Sequence, residues 1–268
     1  MNPGVLEDIS RLEAHHWWYR GLRGAIAGIL DRLELADRPA VLDAGCGTGM
    51  NLLRLRELLA PRHLEGFDLD PAAVAFAREK LGGDAHLYRD DITAPSRTGP
   101  PLDLVVSCDV LNIMGLEGAR GGLEALVDRL SPNGLLVLNL PALEWLRGPH
   151  DDAVHGTRRF ALSEVERFLN SLGLSVERAS YRLLPLLPAL AAYRLAARWR
   201  PRPTADRARS DLEQGFGGPT HAILSAILAG ENALLSRGVR MPLGSSITVA
   251  ARKPAGPQFP LRPSEEFP

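Results

Sequence analysis

The amino-acid sequence predicts an α/β protein built around a doubly wound, mostly parallel β-sheet. Short apolar runs alternate with longer amphipathic runs between residues 40 and 140, and the short runs are apolar along their whole length. Strands that alternate with helices form βαβ units with parallel strands and right-handed crossovers. Uniformly apolar strands indicate a sheet that helices cover on both faces.

Residues 40–140 contain five predicted strands and three predicted helices. Pro71 lies in the first turn of the second helix, where its missing N–H costs no hydrogen bond. The Ser-Pro-Asn-Gly sequence at 131–134 predicts a turn before the fifth strand. The predicted strands are 40–45, 63–70, 85–92, 102–111 and 135–140, and the predicted helices are 50–60, 71–81 and 116–130.

The second half is predicted to add one helix, two strands and a helical insertion between those strands. Residues 162–173 predict a helix with Ser163 as N-cap, Glu166 completing a capping box and Gly173 ending the helix. The strands are predicted at 174–183 and 245–253, with the insertion at 184–240. Residues 1–253 are predicted to form one domain with lid helices at 1–36, followed by a disordered Pro-rich tail at 254–268.

The composition excludes several classes of function. The formal net charge of the 268 residues is −1, which disfavours a nucleic-acid partner held by phosphate contacts. Two cysteines, Cys46 and Cys108, are too few for a disulfide framework and favour buried thiols in a reducing compartment. No signal peptide and no uninterrupted apolar run of about 18 residues is visible. We therefore expect a cytoplasmic protein.

The stretch VLDAGCGTGM, residues 41–50, places three glycines behind an acidic residue after the first strand. Glycines at this sheet edge let backbone groups face a ligand. Dinucleotide sites use G-x-G-x-x-G, whereas this chain has G-x-G-x-G with Asp43 two residues before Gly45. A pyrophosphate gains nothing from that carboxylate, so the pattern favours a ligand that carries an ammonium and a sulfonium. The spacing, and the lack of a Tyr-x-x-x-Lys pair, disfavour a nicotinamide-dependent oxidoreductase.

Acidic residues also end the second and third predicted strands. Asp68 ends the second strand, where a carboxylate can accept hydrogen bonds from both hydroxyls of a ribose. The third strand ends in Asp90, Asp91 and Ile92. One of these carboxylates could accept from an adenine amino group while the aliphatic side chain packs on the ring. Three loops at one sheet edge therefore predict contacts to an amino acid, a ribose and a base.

These motifs resemble those of the class I S-adenosylmethionine-dependent methyltransferases over residues 40–140, and DLVVSCDVL resembles the fourth-strand motif of that family. The resemblance implies a methyltransferase with S-adenosylmethionine as cofactor and a Rossmann-like, seven-stranded sheet whose last strand is antiparallel. Cys46 is then a small space-filling residue, and Cys108 offers its carbonyl to the amino-acid end of the cofactor. The expected cofactor-binding residues are Trp18, Tyr19, Arg23, Asp43, Gly45, Cys46, Gly47, Gly49, Asn51, Asp68, Leu69, Asp90, Asp91, Ile92 and Cys108.

The flanking sequences resemble a subgroup of this family. EAHHWWYRGLRGAIAGIL is similar to an N-terminal H-W-W-F-x-x-R-R segment, and HDDAVHGTRRFALSEVERFLNSLGL is similar to an H-D-x-x-x-H-x-R-R-Y-T-x-x-E-L stretch. Leu22 stands where a second arginine is expected, so Arg23 must act alone. The subgroup belongs to glycan and natural-product pathways. It implies O-methylation of a small-molecule, glycan or lipid-linked acceptor, and the alternative is a non-catalytic partner subunit or sensor that binds the cofactor.

The candidate catalytic residues are His155, His150 and Asp109. A histidine near the methyl donor could deprotonate an acceptor hydroxyl near neutral pH, and the equally weighted alternative is a pair of surface histidines that cap the helix at Ser163. Asp109 and Asn112 are expected to face the acceptor. The histidine spacing does not favour a metal site.

Residues 183–200 are apolar and contain several arginines. This composition suits a helix that lies on a membrane surface or grips a lipid-linked substrate. A lid that packs on the domain is the favoured alternative. The sequence leaves the oligomeric state open.

Overall fold

The computed structural model describes residues 3–96, 99–148, 151, 156–198 and 218–256. These residues contain one seven-stranded sheet. The strands are β1 (Ala40–Ala44), β2 (His63–Asp68), β3 (His86–Arg89), β4 (Leu102–Cys108), β5 (Leu130–Pro141), β6 (Ser175–Arg182) and β7 (Ser246–Arg252).

The strand order is β3-β2-β1-β4-β5-β7-β6. Strands β1 to β5 pair in parallel, whereas β7 runs antiparallel to both β5 and β6. The predicted fold class is therefore confirmed, including the antiparallel last strand. The order reverses between β1 and β4, so the carboxyl ends of these two strands flank the crevice where ligands bind in doubly wound sheets.

Nine α-helices lie within the described residues. They are α1 (Pro3–Leu12), α2 (Trp17–Leu30), α3 (Met50–Leu59), α4 (Pro71–Leu81), α5 (Gly115–Gly118), α6 (Arg120–Arg129), α7 (Leu162–Ser171), α8 (Leu187–Arg198) and α9 (Gly218–Ser236). Two apolar cores form on opposite faces of the sheet. Helices α2, α3 and α4 contribute to one core, and α6 and α7 contribute to the other.

Helix α9 packs on α2 at close range. A Cβ atom at Gly21 would lie 2.4 Å from Leu228 Cδ1, and one at Gly24 would lie 2.7 Å from Asn232 Nδ2. Glycines on α2 thus let α9 pack closely against α2, which itself packs on one face of the sheet. In the described ranges, none of the helices has both the length and the apolarity needed to cross a membrane.

Two local predictions are wrong. Residues 131–134 belong to β5 and not to a separate turn, and a register shift between Leu102 and Leu104 accommodates the extra residues. Helix α7 begins after Ala161 and has no side-chain cap, so Ser163 is not its N-cap. The expected capping box does not form because the Glu166 carboxylate pairs with Arg240 at 2.7 Å.

Strand β4 also ends earlier than predicted, at Cys108. Asp109 has φ 56°, which breaks the extended conformation and starts the turn that follows β4. Of the predicted insertion, α8 and α9 are described, whereas residues 199–217 and most of the predicted tail lie outside the described residues.

Gly122 is required where α6 meets the loop after β3. A Cβ atom at Gly122 would lie 1.6 Å from the Ile92 carbonyl oxygen, a backbone atom that cannot rotate away. We expect Gly122→Ala to lower the free energy of unfolding by about 2 kcal/mol or more.

Gly121→Ala is the matched control in the same helix, because its nearest neighbour would be 3.9 Å away. Its higher helix propensity should raise stability by up to about 1 kcal/mol. Urea denaturation of both variants measures the difference. Equal effects of the two substitutions would contradict this packing.

Candidate functional site

The glycine loop after β1 has three left-handed residues with two different roles. Gly45, Gly47 and Gly49 have φ of 81°, 53° and 86°, so side chains are disfavoured at all three. Cβ atoms at Gly45 and Gly49 would collide with Val110 and Ala77, at 2.3 and 2.9 Å. A Cβ at Gly47 would meet nothing within 4 Å. Gly47 therefore borders open space, whereas the other two glycines permit close packing within the chain.

Asp68 braces this loop from the end of β2. Its Oδ2 atom accepts the N–H of Gly47 at 2.9 Å, and its Oδ1 atom accepts the N–H of Asp70 at 2.9 Å. Burial raises the pKa of Asp68 although both hydrogen bonds oppose the shift. The next residue, Leu69, is 57% exposed. The carboxylate thus lies beside the open Gly47 position with one backbone donor on each oxygen.

Asp43 is buried and lacks a partner for its charge. Its side chain is 1% exposed, and neither carboxylate oxygen receives a hydrogen bond from the described residues. Burial, followed by repulsion from Asp68, raises the pKa of Asp43 to about 7. A buried carboxylate without donors is costly, so this position fits a cationic ligand group.

Helix α2 contributes cationic and aromatic groups. Arg23 donates through Nη2 to the carbonyls of Glu13 and Ala14 at 2.7 and 3.3 Å, whereas its Nη1 is buried without a hydrogen-bond partner among the described residues. The rings of Trp18 and Tyr19 meet edge to face at 5.0 Å. Arg23 can therefore receive an anionic group without losing its existing bonds.

The loop after β3 is held by its own carboxylates. Asp90 is 8% exposed and accepts from the N–H and hydroxyl of Ser96. Asp91 accepts through Oδ1 from the N–H and hydroxyl of Thr93, both at 2.8 Å. Ile92 is 4% exposed and belongs to an apolar core. Asp91 is thus the more accessible of the two carboxylates, and protein already covers most of Ile92.

Both cysteines behave as neutral thiols. Burial raises the pKa of Cys46 and of Cys108 well above its usual range. A neutral buried thiol is a poor nucleophile. A Cβ atom at Gly66 would lie 3.3 Å from the Cys46 sulfur, so this sulfur fills the space beside Gly66. Asn51, the second residue of α3, is half-buried.

Asp109 lies at the end of β4 among polar groups. The Asn139 amide donates from Nδ2 to both Asp109 oxygens, at 3.1 and 3.0 Å. Burial raises the pKa of Asp109 to about 6, although Asn139, Arg182 and Arg159 favour the ionised form. This carboxylate can therefore exchange a proton near neutral pH. Asn112 is buried, and its Oδ1 has no hydrogen-bond partner among the described residues.

The two candidate histidines cannot be placed. His150 and His155 lie outside the described residues. Beside them, Asp151 and Arg159 form a buried ion pair with contacts of 2.9 and 3.2 Å. Within the described ranges, no group of three or more His, Cys, Asp and Glu side chains could hold a metal ion.

Sequence reasoning missed two buried residues of the site, Asn139 and Arg182. They are 0% and 2% exposed and hydrogen-bond to each other. The available signal was a polar residue in the apolar run LLVLNL and an arginine at the end of a predicted strand. It was also not predicted that the Lys80 ammonium would contact the Thr48 carbonyl, at 2.9 Å, and the Glu13 carboxylate.

Comparison with known proteins shows similarity to one family over part of the chain. Residues 42–136 match the family described as "Methyltransferase domain". The chain is 34% identical over 119 residues to trans-aconitate 2-methyltransferase of Methylobacterium nodulans. The aligned region covers 43% of each protein. It is 30% identical over 140 residues to the biotin biosynthesis bifunctional protein BioCD of Bordetella avium, which covers 52% of this chain and 30% of the relative.

The fold comparison agrees with the sequence matches. A chain of the solved complex with the Haloferax volcanii Trm112 methyltransferase activator superposes with a TM-score of 0.61 and 18% identity, covering 96% of this chain and 97% of the other. Residues 42–136 are thus similar in sequence to a methyltransferase domain, and the superposition shows that the fold is shared. These similarities support the predicted class of S-adenosylmethionine-dependent methyltransferase, and its cofactor, for residues 42–136. The chain spans 30% to 43% of the length of the curated relatives it matches.

The unpartnered Asp43 carboxylate predicts a specific pH dependence of stability. In the folded protein it keeps its proton up to about pH 7, against an ordinary pKa of 3.8 in the unfolded chain. A raised folded-state pKa contributes stability that is full below the unfolded pKa and is lost as pH rises through the folded pKa. We expect Asp43→Asn to match the wild type near pH 4 and to exceed its stability by about 4 kcal/mol above pH 7.

Urea denaturation of the ligand-free protein at pH 4.5 and pH 8 measures this difference. Asp84→Asn is the control, since this exposed carboxylate pairs with Arg56 at the surface. A stability difference between Asp43→Asn and wild type that does not change with pH would rule out an unpartnered, raised-pKa carboxyl at this position.

Proposed function

We propose that this protein transfers a methyl group from S-adenosylmethionine to an acceptor that binds beside Asp109. The observation that carries this proposal is the buried Asp43 carboxylate, which has no donor on either oxygen and lies near the end of β1, just before the open glycine loop. An ammonium group would supply the missing donors and the missing positive charge.

The residues at the sheet edge fit the parts of this cofactor. Asp43 would accept from the ammonium, and the free Nη1 atom of Arg23 would receive the carboxylate. The open backbone at Gly47 and the Asp68 oxygens would meet the ribose hydroxyls. Asp91 would accept from the adenine amino group.

The remaining predicted cofactor residues would make smaller contributions. Aromatic residues of α2 would cover the methionine end, and neighbours of the motif residues would add backbone or packing contacts. These residues are Trp18, Tyr19, Gly45, Cys46, Gly49, Asn51, Leu69, Asp90, Ile92 and Cys108.

The cofactor supplies an electrophilic methyl group on a cationic sulfur. The protein has to orient the acceptor, exclude water and receive a proton when the acceptor is a hydroxyl. Asp109 is suited to receive that proton because its pKa is about 6. His155 and His150 are further candidate bases, at positions outside the described residues.

We assign the acceptor to a small molecule, glycan or lipid-linked compound, methylated at oxygen. The resemblance of the N-terminal HHWWYR segment and of the HDDAVHGTRRF stretch to a glycan and natural-product subgroup supports this assignment. The indole Nε1 of Trp17 is buried without a hydrogen-bond partner among the described residues. It could donate to an oxygen-rich acceptor.

Helix α8 is assigned to a lid over the domain and not to a membrane contact. Arg194 is 6% exposed, and its guanidinium lies against Gly148 in the loop after β5. A membrane-surface helix would keep this arginine in the headgroup region. We also propose a cytoplasmic location, which the free thiols of Cys46 and Cys108 support.

Calorimetry with S-adenosylmethionine tests the cofactor assignment. We expect Asp43→Asn and Asp68→Ala each to weaken binding by about 100-fold or more, because each removes a charge-assisted contact from a buried site. Asp70→Asn is the matched control, since asparagine keeps the N-cap hydrogen bond to the Ala72 N–H. Unchanged affinity in Asp68→Ala would remove the ribose assignment.

Methyl transfer itself is tested with methyl-labelled S-adenosylmethionine and an extract of cells that lack the protein. The enzyme is expected to move label into a product that Asp68→Ala cannot form. The second candidate function is a cofactor-binding partner subunit or sensor. Tight cofactor binding without any label transfer would favour that alternative.

A further inference from the structure

We propose that Asn139 and Arg182 are positioning residues that hold the Asp109 carboxylate ready to receive the acceptor proton, and that Glu231 links helix α9 to this arrangement. The inference rests on the proposed function for its catalytic meaning. The hydrogen-bond network that carries it is visible in the structure without any ligand.

The orientation of the Asn139 side chain follows from its partners. Its Oδ1 atom accepts from Arg182 Nη1 at 3.1 Å, from the Ser246 hydroxyl at 3.2 Å and from the Thr248 hydroxyl at 3.0 Å. An oxygen that faces three donors places the amide nitrogen on the opposite side. The nitrogen therefore points at Asp109 and donates to both carboxylate oxygens.

The backbone joins the same two residues. The Asp109 N–H donates to the Asn139 carbonyl at 2.8 Å, and φ of 56° at Asp109 turns the chain out of β4. A left-handed conformation at a residue other than glycine is strained and persists only where its surroundings hold it. Asn139 thus fixes both the backbone and the side chain of Asp109.

Arg182 supplies the buried positive charge of this network. It is 2% exposed, and its Nη1 donates to the neutral amide oxygen of Asn139, whereas its Nε has no hydrogen-bond partner among the described residues. Burial lowers the pKa of Arg182, and the carboxylates of Glu231 and Asp109 oppose that shift. A buried guanidinium needs compensating negative charge, so Arg182 favours the ionised form of Asp109.

Glu231 connects the network to α9. It is the only Asp, Glu, Lys or Arg in residues 218–236, and it is 3% exposed. Its two carboxylate oxygens accept the N–H groups of Leu183 and Leu184, both at 2.8 Å. These residues directly follow Arg182, so α9 holds the end of β6 that carries the guanidinium.

The other groups that act on Asp109 come from different elements. Arg159, in the loop before α7, favours its ionised form. Tyr19 on α2 and Cys108 on β4 are close enough for the Asp109 charge to raise the pKa of each. Neither group is ionised near neutral pH, so the titration of Asp109 depends mainly on burial, Asn139 and the two arginines.

The test is the titration of Asp109 in the full-length protein, followed by NMR of carboxyl-labelled aspartate and assigned by the loss of its signal in Asp109→Asn. We expect a midpoint of about 6 in the wild type. In Asn139→Ala and in Arg182→Met, the midpoint should rise by about one pH unit or more, because each change removes a group that favours the ionised form.

Two further variants separate this role from a structural one. Arg182→Lys keeps the charge and should hold the midpoint within about half a unit of wild type, which covers the case in which Arg182→Met does not fold. Arg252→Met breaks the ion pair between Arg252 on β7 and Glu177 on β6 and should leave the midpoint unchanged. Folded Asn139→Ala with an unchanged midpoint, or a control that shifts as far, would overturn the proposal.

Cofactor binding keeps the two proposals distinguishable. Asn139→Ala should bind S-adenosylmethionine with wild-type affinity and should move the pH optimum of label transfer upward with the Asp109 midpoint. Failure of the wild type to bind the cofactor would defeat the proposed function and leave the titration result standing. Shifted titration with an unchanged pH optimum would overturn the positioning role.

Discussion

The central constraint on the structure is the Asp43 carboxylate, which is buried without a hydrogen-bond partner in the ligand-free protein. Asp43 occupies the end of the strand beside the topological switch point, with no hydrogen bond to either oxygen and a raised pKa of about 7. A charge in that position destabilises the ligand-free fold. The glycine loop that follows it is open at Gly47, and the Nη1 atom of Arg23 on α2 is also buried without a hydrogen-bond partner among the described residues. A ligand that carries both an ammonium and a carboxylate could pair with Asp43 and with Arg23.

The other half of the crevice is organised in the opposite way. On the acceptor side, Asp109 already has two hydrogen bonds from Asn139 and charge support from Arg182. The network extends through β5, β7 and β6 to Glu231 on α9, and it forms without a ligand. Under the proposed function, the Asp43 side of the crevice would gain stability from the cofactor, whereas the Asp109 side is preorganised to receive a proton.

Much of the sheet could be predicted from the sequence because its signals are local. Gly45, Gly47 and Gly49 indicate a tight loop, and uniformly apolar strands indicate two covered faces. The same signals could not separate the open Gly47 from the packed Gly45 and Gly49, since that depends on Val110 and Ala77 from elsewhere in the chain.

The errors and omissions have a common physical origin in contacts distant along the chain. Glu166 pairs with Arg240 instead of capping its own helix, and this pair joins residues 74 positions apart. Asn139 on β5 and Arg182 on β6 form their hydrogen bond across β7, the last strand in the sequence, which lies between them in the sheet. No local pattern encodes that insertion, so the acceptor-side network could not be read from the residues alone.

The most direct test of the account is a double-mutant cycle between the protein and its ligand. Binding of S-adenosylmethionine and of an analogue that lacks only the amino group is measured by calorimetry at pH 8, for the wild type and for Asp43→Asn. We expect the wild type to bind S-adenosylmethionine about 100-fold more tightly than the analogue, and Asp43→Asn to bind the two with nearly equal affinity. Equal discrimination by both proteins would show that Asp43 does not bind the ammonium and would contradict the central claim.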